Sequence, residues 1–198
     1  IFYTHFVSYF LYCKYSLFLV RITKVTTKTG DKGKTALADG SRVNKNSLRV
    51  HCLGSIDELN TFIGFAAAIL PEKPEIDLKS IQNDLLNIGA EISIPNSDKK
   101  FINQDRIIYL EKEIELINNE LPPLKEFILP GGNDLCSRIH MARSICRRSE
   151  RDLVTLNNRE PISPDILQYI NRLSDYLFVL ARLLSRSSDG DEIQWKRS

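Results

Sequence analysis

The stretch Met141 to Leu153, MARSICRRSERDL, gathers Arg143, Arg147, Arg148, Glu150 and Arg151 into a short run. On a helix, Arg143, Arg147 and Glu150 fall at i, i+4 and i+7 on one face. Leu135, Ile139, Ala142, Cys146 and Leu153 form an apolar stripe beside it. Guanidinium groups at this density repel one another unless an anion or carboxylates sit among them, so a polyphosphate suits the face. A solvated face laced by pairs such as Arg147 with Glu150 and Arg151 accounts for the segment equally well.

The second concentration of chemistry is TKTGDKGKT, Thr27 to Thr35. Gly30 and Gly33 let the backbone turn its N–H groups toward one point, and Lys28, Lys32, Lys34 and the threonine hydroxyls add donors. That is a way to wrap a phosphate; a plain Lys/Gly surface loop is the simpler reading of so short a stretch. Gly33-Lys34-Thr35 matches the end of a Walker A loop, but Lys28 stands where its first glycine belongs, and no strand and helix flank it.

Isolated residues add to these two centres. Asn171, Asp175 and Phe178 share a helical face; Asp57 and Glu58 follow Gly54-Ser55, where the helix dipole alone explains acids and a buried Asp57 paired with an arginine is the sharper alternative. Phe127 precedes ILPGG, a position that reads as core. Gly131-Gly132-Asn133 opens a helix and can hold an anion or simply form the turn. No Ser/His/Asp set, HExxH or GxSxG is present, so reactivity has to come from the ligands.

The elements that must position these groups follow from periodicity. Apolar repeats predict five helices: about His51 to Leu70, Ile76 to Ile94, Gln104 to Leu121, Asn133 to Leu156, and one from N-cap Ser163 and Pro164 to Leu184. Pro71, Pro95 and Pro122-Pro123 close the first three. Narrow stripes and short connections predict an all-α fold, a five-helix antiparallel bundle. Arg21 to Asn46 reads as an ordered loop with at most short extended pieces, and Ser187 to Ser198 as a polar tail relieved only by Ile193 and Trp195.

With 198 residues, 42% of them hydrophobic, the chain can bury one core, here residues 20–187. A net charge of +2 excludes a nucleic-acid binder held by bulk electrostatics, and no aromatics interleave with the arginines. Cys13, Cys52, Cys136 and Cys146 show no CxxC, and with His5, His51 and His140 they complete no zinc spacing. They read as thiols in a reducing compartment, with a cytoplasmic setting expected. Residues 1–19 are apolar and aromatic, yet fit neither a signal nor a transit peptide and make a poor membrane span. They are expected to be upstream sequence translated from a wrongly chosen start, with Val20 the initiator position.

Taken together, TKTGDKGKT, GSIDELN (54–60), FILPGG (127–132), ARSICRRSER (142–151) and NRLSD (171–175) resemble, in order, the PduO-type ATP:cob(I)alamin adenosyltransferases. The resemblance implies a homotrimeric five-helix bundle with active sites between subunits, where cob(I)alamin attacks the 5' carbon of ATP. It assigns ATP to Thr27, Lys28, Thr29, Gly30, Thr35, Ala36 and Lys45, opposite Arg147, Arg148, Ser149, Glu150 and Arg151, with Asn171 completing the site. Arg147 is the group expected to meet leaving-group charge, and Glu150 to orient arginines or a Mg2+ shell. Asp57 and Arg143 look like the family's ion pair across the subunit boundary, and Phe127 like an apolar ring against the corrin. A flavin-dependent cobalamin reductase and an adenosylcobalamin-dependent enzyme are the implied partners. Ala36 departs from the Ser usual in the family, which predicts weaker ATP binding. A non-catalytic ATP/cobalamin carrier serving a mutase is the competing reading.

Overall fold

The computed structural model describes residues 26–72, 76–187 and 192–197. The expectations for residues 1–19 and Val20 fall outside that range. The described Thr/Lys/Gly loop contains a small antiparallel hairpin of β1 (Lys34–Ala36) and β2 (Arg42–Asn44), with Thr35 opposite Val43. Its turn is held by Asp39, whose carboxylate accepts the Ser41 N–H at 2.9 Å and hydroxyl at 2.7 Å. Leu37 buries into the core and Ala38 N–H donates to the Ser93 carbonyl at 3.0 Å, so the loop is anchored to the bundle.

Five helices follow: α1 (Leu48–Ala67), α2 (Leu78–Ile92), α3 (Gln104–Glu120), α4 (Asp134–Asn157) and α5 (Pro164–Ser187). Their starts obey capping chemistry, since Asp77, Asn103 and Asn133 each accept an N–H from the first turn. Ser163 Oγ accepts the Asp165 N–H at 3.3 Å at the mouth of α5. Helix α1 starts before the expected His51: Ser47 takes the extended N-cap conformation and Leu48 is the first helical residue.

Contacts between helices give their directions. Arg49 with Ile92 and Asn60 with Gln82 make α1 and α2 antiparallel. Ser55 with Ser149 and Phe65 with Arg138 do the same for α1 and α4, as Glu150 with Asn171 and Arg143 with Phe178 do for α4 and α5. Successive helices thus alternate in direction, as expected. Helices α3 and α5, however, pack in parallel, with Gln104 beside Asp165 and Glu111 beside Arg172. In an alternating five-helix chain the odd-numbered helices all point one way, so two of them that touch must run parallel. Leu59, Ile63, Leu85, Ile88, Ile139, Leu153, Tyr169 and Leu173 form the buried centre.

The tail is not merely a polar trailer. An antiparallel bridge sets Ile128 against Gln194: Leu129 N–H donates to Ile193 O at 2.8 Å and Trp195 N–H to Phe127 O at 2.7 Å. Among the described residues no helix is long and apolar enough to cross a membrane.

Candidate active site

Helix α4 presents different chemistry on its two sides. Cys52 and Ser55 of α1 meet Asp152, and the fully buried Ser149 donates its hydroxyl to the Ser55 carbonyl at 2.9 Å. The Ser149 side chain, expected beside the arginines on the nucleotide wall, therefore faces the core, because it shares the helical phase of Cys146 and Leu153. Arg148 leans the same way onto Glu58.

The side toward α5 is packed through Cys146, whose thiol donates to the Ile170 carbonyl at 3.3 Å, and carries charged groups that are only partly matched. Glu150 accepts from Asn171 Nδ2 at 3.0 Å, and the Asn171 carbonyl oxygen accepts from Arg172 at 2.8 Å. Arg151 caps the Arg147 carbonyl at 3.0 Å, leaving the exposed Arg147 guanidinium without a hydrogen bond or ion pair among the described residues. Arg143 lies over the Phe178 ring at 5.7 Å with its Nε buried and unpartnered. Burial and the neighbouring Arg147 charge push its pKa down, and burial and Arg143 likewise push His140 down. Asp175 is pushed up, mainly by burial, with Glu150 adding to it against the pull of Arg172 and Arg147. The helical trio Asn171, Asp175 and Phe178 thus lies along the arginine face. Asp57 on α1 is half-buried, its carboxyl raised by burial, and its carboxylate meets no cation among the described residues.

The loop surface is built from the hairpin. Thr27, Lys28, Thr29 and Lys45 are exposed; Thr27 and Thr29 hydroxyls meet at 3.0 Å. Lys28 holds a left-handed φ of 57°, uncommon without a glycine. Gly30 lets the Lys45 side chain lie close over the backbone, since a Cβ there would sit 3.0 Å from Lys45 Nζ, and Lys45 N–H donates to Gly33 O at 2.9 Å. Arg42, which carried no signal in the sequence, donates to the Thr29 carbonyl at 2.7 Å and thereby ties down the exposed strip. Thr35 is buried with its hydroxyl unpartnered, while Ala36 is half-buried. Asn133 caps α4 through the Cys136 N–H at 2.8 Å, so the Gly131-Gly132-Asn133 turn serves the helix.

Within one protomer these two surfaces do not meet. No hydrogen bond or ion pair joins residues 27–36 or Lys45 to Arg147–Arg151 among the described residues. Lys45 lines a cleft with His51 and Arg159, beyond the far end of α4. At 1.5 Å per residue, Arg147 lies roughly 15 Å back along that helix from its last residue, Asn157. Phe127, expected as core before the resemblance gave it a corrin face, is 75% exposed at the opposite end of the bundle, its ring 6.5 Å from that of Trp195. Among the described residues no group of three or more His, Cys, Asp or Glu side chains is placed to hold a metal.

Fold and site together define a five-helix bundle that carries an anchored Thr/Lys/Gly loop and an arginine-lined helix face. The chain belongs to the cobalamin adenosyltransferase family, whose pattern matches residues 25–184. It is 45% identical to a cobalamin adenosyltransferase of Cupriavidus metallidurans, over 89% of this chain and 96% of the relative. It is 42% identical to the corrinoid adenosyltransferase of Bacillus subtilis, over 88% and 93%. A variant PduO-type ATP:corrinoid adenosyltransferase from Lactobacillus reuteri, solved with cobalamin and ATP, superposes with a TM-score of 0.82 at 35% identity, covering 88% of this chain and all of that one.

Proposed function

We infer that the protein transfers the 5'-deoxyadenosyl group of ATP to cob(I)alamin, giving adenosylcobalamin and triphosphate. In that displacement the cobalt–carbon bond forms with the metal's electron pair as the C5'–O bond breaks, and the C5'–O bonding pair leaves on triphosphate. No proton need be taken from the nucleophile, which agrees with a site rich in cations and poor in acid-base groups. The observation that carries this reading is the unpaired Arg147, held beside the Glu150–Asn171 hydrogen bond in a chain of this family.

Thr27, Lys28, Thr29, Gly30, Thr35, Ala36 and Lys45 wrap the triphosphate, and Arg147, Arg148, Glu150, Arg151 and Asn171 form the opposite wall. The unpartnered Thr35 hydroxyl fits a group that accepts a hydrogen bond. The contribution of position 149 is its backbone, since its hydroxyl is engaged with Ser55. Arg147 steadies charge on the leaving oxygen. Mg2+ would neutralise triphosphate; with only Glu150 and Asp175 offering carboxylates beside the arginines, most of its ligands would be phosphate oxygens and water. Glu150 then orients that shell.

The protein acts as a homotrimer. The loop and the arginine face of one protomer are separate, whereas a neighbouring copy can bring its loop to the arginines. The half-buried Asp57, lacking a cation, and Arg143, lacking an anion, are complementary groups for the same boundary. Phe127 presses on the lower corrin face, excluding water and the nucleotide tail so that Co(II) loses its axial ligand and is more easily reduced. A flavin-dependent reductase supplies the electron and an adenosylcobalamin-dependent enzyme takes the product, in a cytoplasmic setting. The test is to mix protein, fully reduced cobalamin and MgATP and follow the change from the Co(I) to the alkylated corrinoid spectrum. A spectrum that stays that of Co(I) would leave only the non-catalytic carrier.

A further inference from the structure

Phe127 is poorly held by the bundle itself. Its ring is 75% exposed, and the segment that carries it runs on into Gly131-Gly132. What fixes its backbone is the returning tail, through Trp195 N–H to Phe127 O at 2.7 Å and Leu129 N–H to Ile193 O at 2.8 Å. Two hydrogen bonds do not order a chain end by themselves.

Among the described residues the tail's most buried fastening is at Glu192. Glu192 receives Arg182 Nε at 2.7 Å and Nη2 at 3.3 Å, and the same Nη2 donates to the Pro122 carbonyl at 2.8 Å. Both side chains are almost wholly buried, 4% and 9% exposed. A desolvated, two-pronged pair of this kind demands one geometry and adds little net stability, so its value lies in register. The neighbouring Arg197–Glu126 pair, with Arg197 72% exposed, contributes far less. Arg182 sits on α5, the helix that also carries Asn171 and Phe178, and through Pro122 it grips the start of the 121–133 connection. One guanidinium thus joins α5, the root of the Phe127 segment and the tail that pairs with it.

We propose that Arg182 and Glu192 are positioning residues: their buried pair sets the tail against residues 127–129 and thereby holds the Phe127 ring where the corrin must meet it. This rests on the reading of Phe127 given above. Loss of the pair frees the tail, lets the Phe127 segment swing on its glycines, and impairs the step that depends on an excluded axial ligand more than the displacement that follows.

Trp195 is the single tryptophan of the chain, so it reports the tail directly. In Glu192→Ala, its emission should shift to the red and become more open to acrylamide, while helical content stays unchanged. Turnover from Co(II)cobalamin with a reductant should fall on the order of tenfold, with a smaller loss when cob(I)alamin is supplied already reduced. Arg182→Lys, which keeps the charge but not the fork, should lie between Glu192→Ala and wild type in both measurements. Unchanged quenching in Glu192→Ala would overturn the proposal, as would a freed Trp195 with full Co(II)-dependent turnover. Phe127→Ala run alongside separates the two failures. If that variant also keeps full turnover, the corrin-face reading has failed and the positioning role falls with it, leaving the quenching data to show only a structural link.

Discussion

Two clusters of charge in this bundle use the same residue types to opposite ends. Between α2, α3 and α5, Asp84 is 5% exposed and accepts from Arg106 Nε at 2.8 Å, Arg106 Nη2 at 2.6 Å and the Tyr169 hydroxyl at 2.8 Å. Arg106 also reaches Ser80 and lies over the Tyr109 ring, so its donors and charge are matched inside one protomer. On the α4–α5 face, Arg143 Nε is buried without a partner and Arg147 is unpaired; Glu150 is held by a neutral amide. A closed cluster is architecture. In the open one the buried Arg143 Nε is costly to leave unpaired, which is why the proposed function gives this face a ligand from outside the protomer.

The contrast breaks most sharply in the closed cluster. Asp84→Ala should strand Arg106 and cost about 3–5 kcal/mol of stability, seen as a large fall in Tm, with near-normal turnover from whatever remains folded. Arg147→Ala should do the reverse. It should lower kcat with pre-reduced cobalamin by roughly 100-fold to 1,000-fold, as when one donor to a developing anion is removed, and leave the unfolding free energy within about 0.5 kcal/mol of wild type. Equal losses of stability in the two variants would erase the distinction.

How far the two clusters could be read from sequence differs as well. The open one lies within a single helix plus one face of another, so spacing alone brings Arg143, Arg147 and Glu150 together and sets Asn171, Asp175 and Phe178 in a row. The closed one joins residues far apart in the chain, and Asp84 within QNDLL reads as solvent-facing until Arg106 and Tyr169 arrive by tertiary packing. The tail shows the same limit, because three residues pairing with 127–129 carry no periodicity. The Ser149 hydroxyl turns inward for a local reason: a run of polar residues on a helix spans both faces, and contiguity in the motif is not contiguity in space. Helix ends marked by proline or an Asn/Asp cap matched to within a few residues, whereas the start of α1 lacks a side-chain cap and was placed late.

Smaller effects sharpen the comparison. Phe127→Ala should bind ATP normally and keep its fold, the ring being exposed, yet lose most activity with Co(II)cobalamin plus a reductase; equilibrium ATP binding and the coupled assay check both halves. Asn171→Ala removes one amide hydrogen bond to the Glu150 carboxylate and should weaken ATP by about 1.5 kcal/mol, or roughly tenfold in KM. Ala36→Ser should restore a hydroxyl beside the loop and tighten ATP by a few-fold at most.

Protonation gives one more test. Burial raises the Asp57 carboxyl in the lone protomer, whereas an Arg143 guanidinium across the boundary would favour its charged form. Assembly would then release a proton, so the trimer should weaken as pH falls through the raised Asp57 pKa and level off at full strength above it. Sedimentation across mildly acidic pH should show that slope in wild type and a flatter one in Asp57→Asn.

Subunit mixing tests most directly whether two protomers close on one nucleotide. Arg147→Ala carries an intact loop, and a loop variant such as Gly30→Val carries intact arginines; each alone should be inactive with cob(I)alamin and MgATP. After the two are dissociated and reassembled together, random trimers should regain about a quarter of the wild-type sites, since one boundary in four then joins an intact loop to an intact arginine face. No recovery from a mixture shown to contain mixed trimers would place both surfaces in the same protomer and contradict the account.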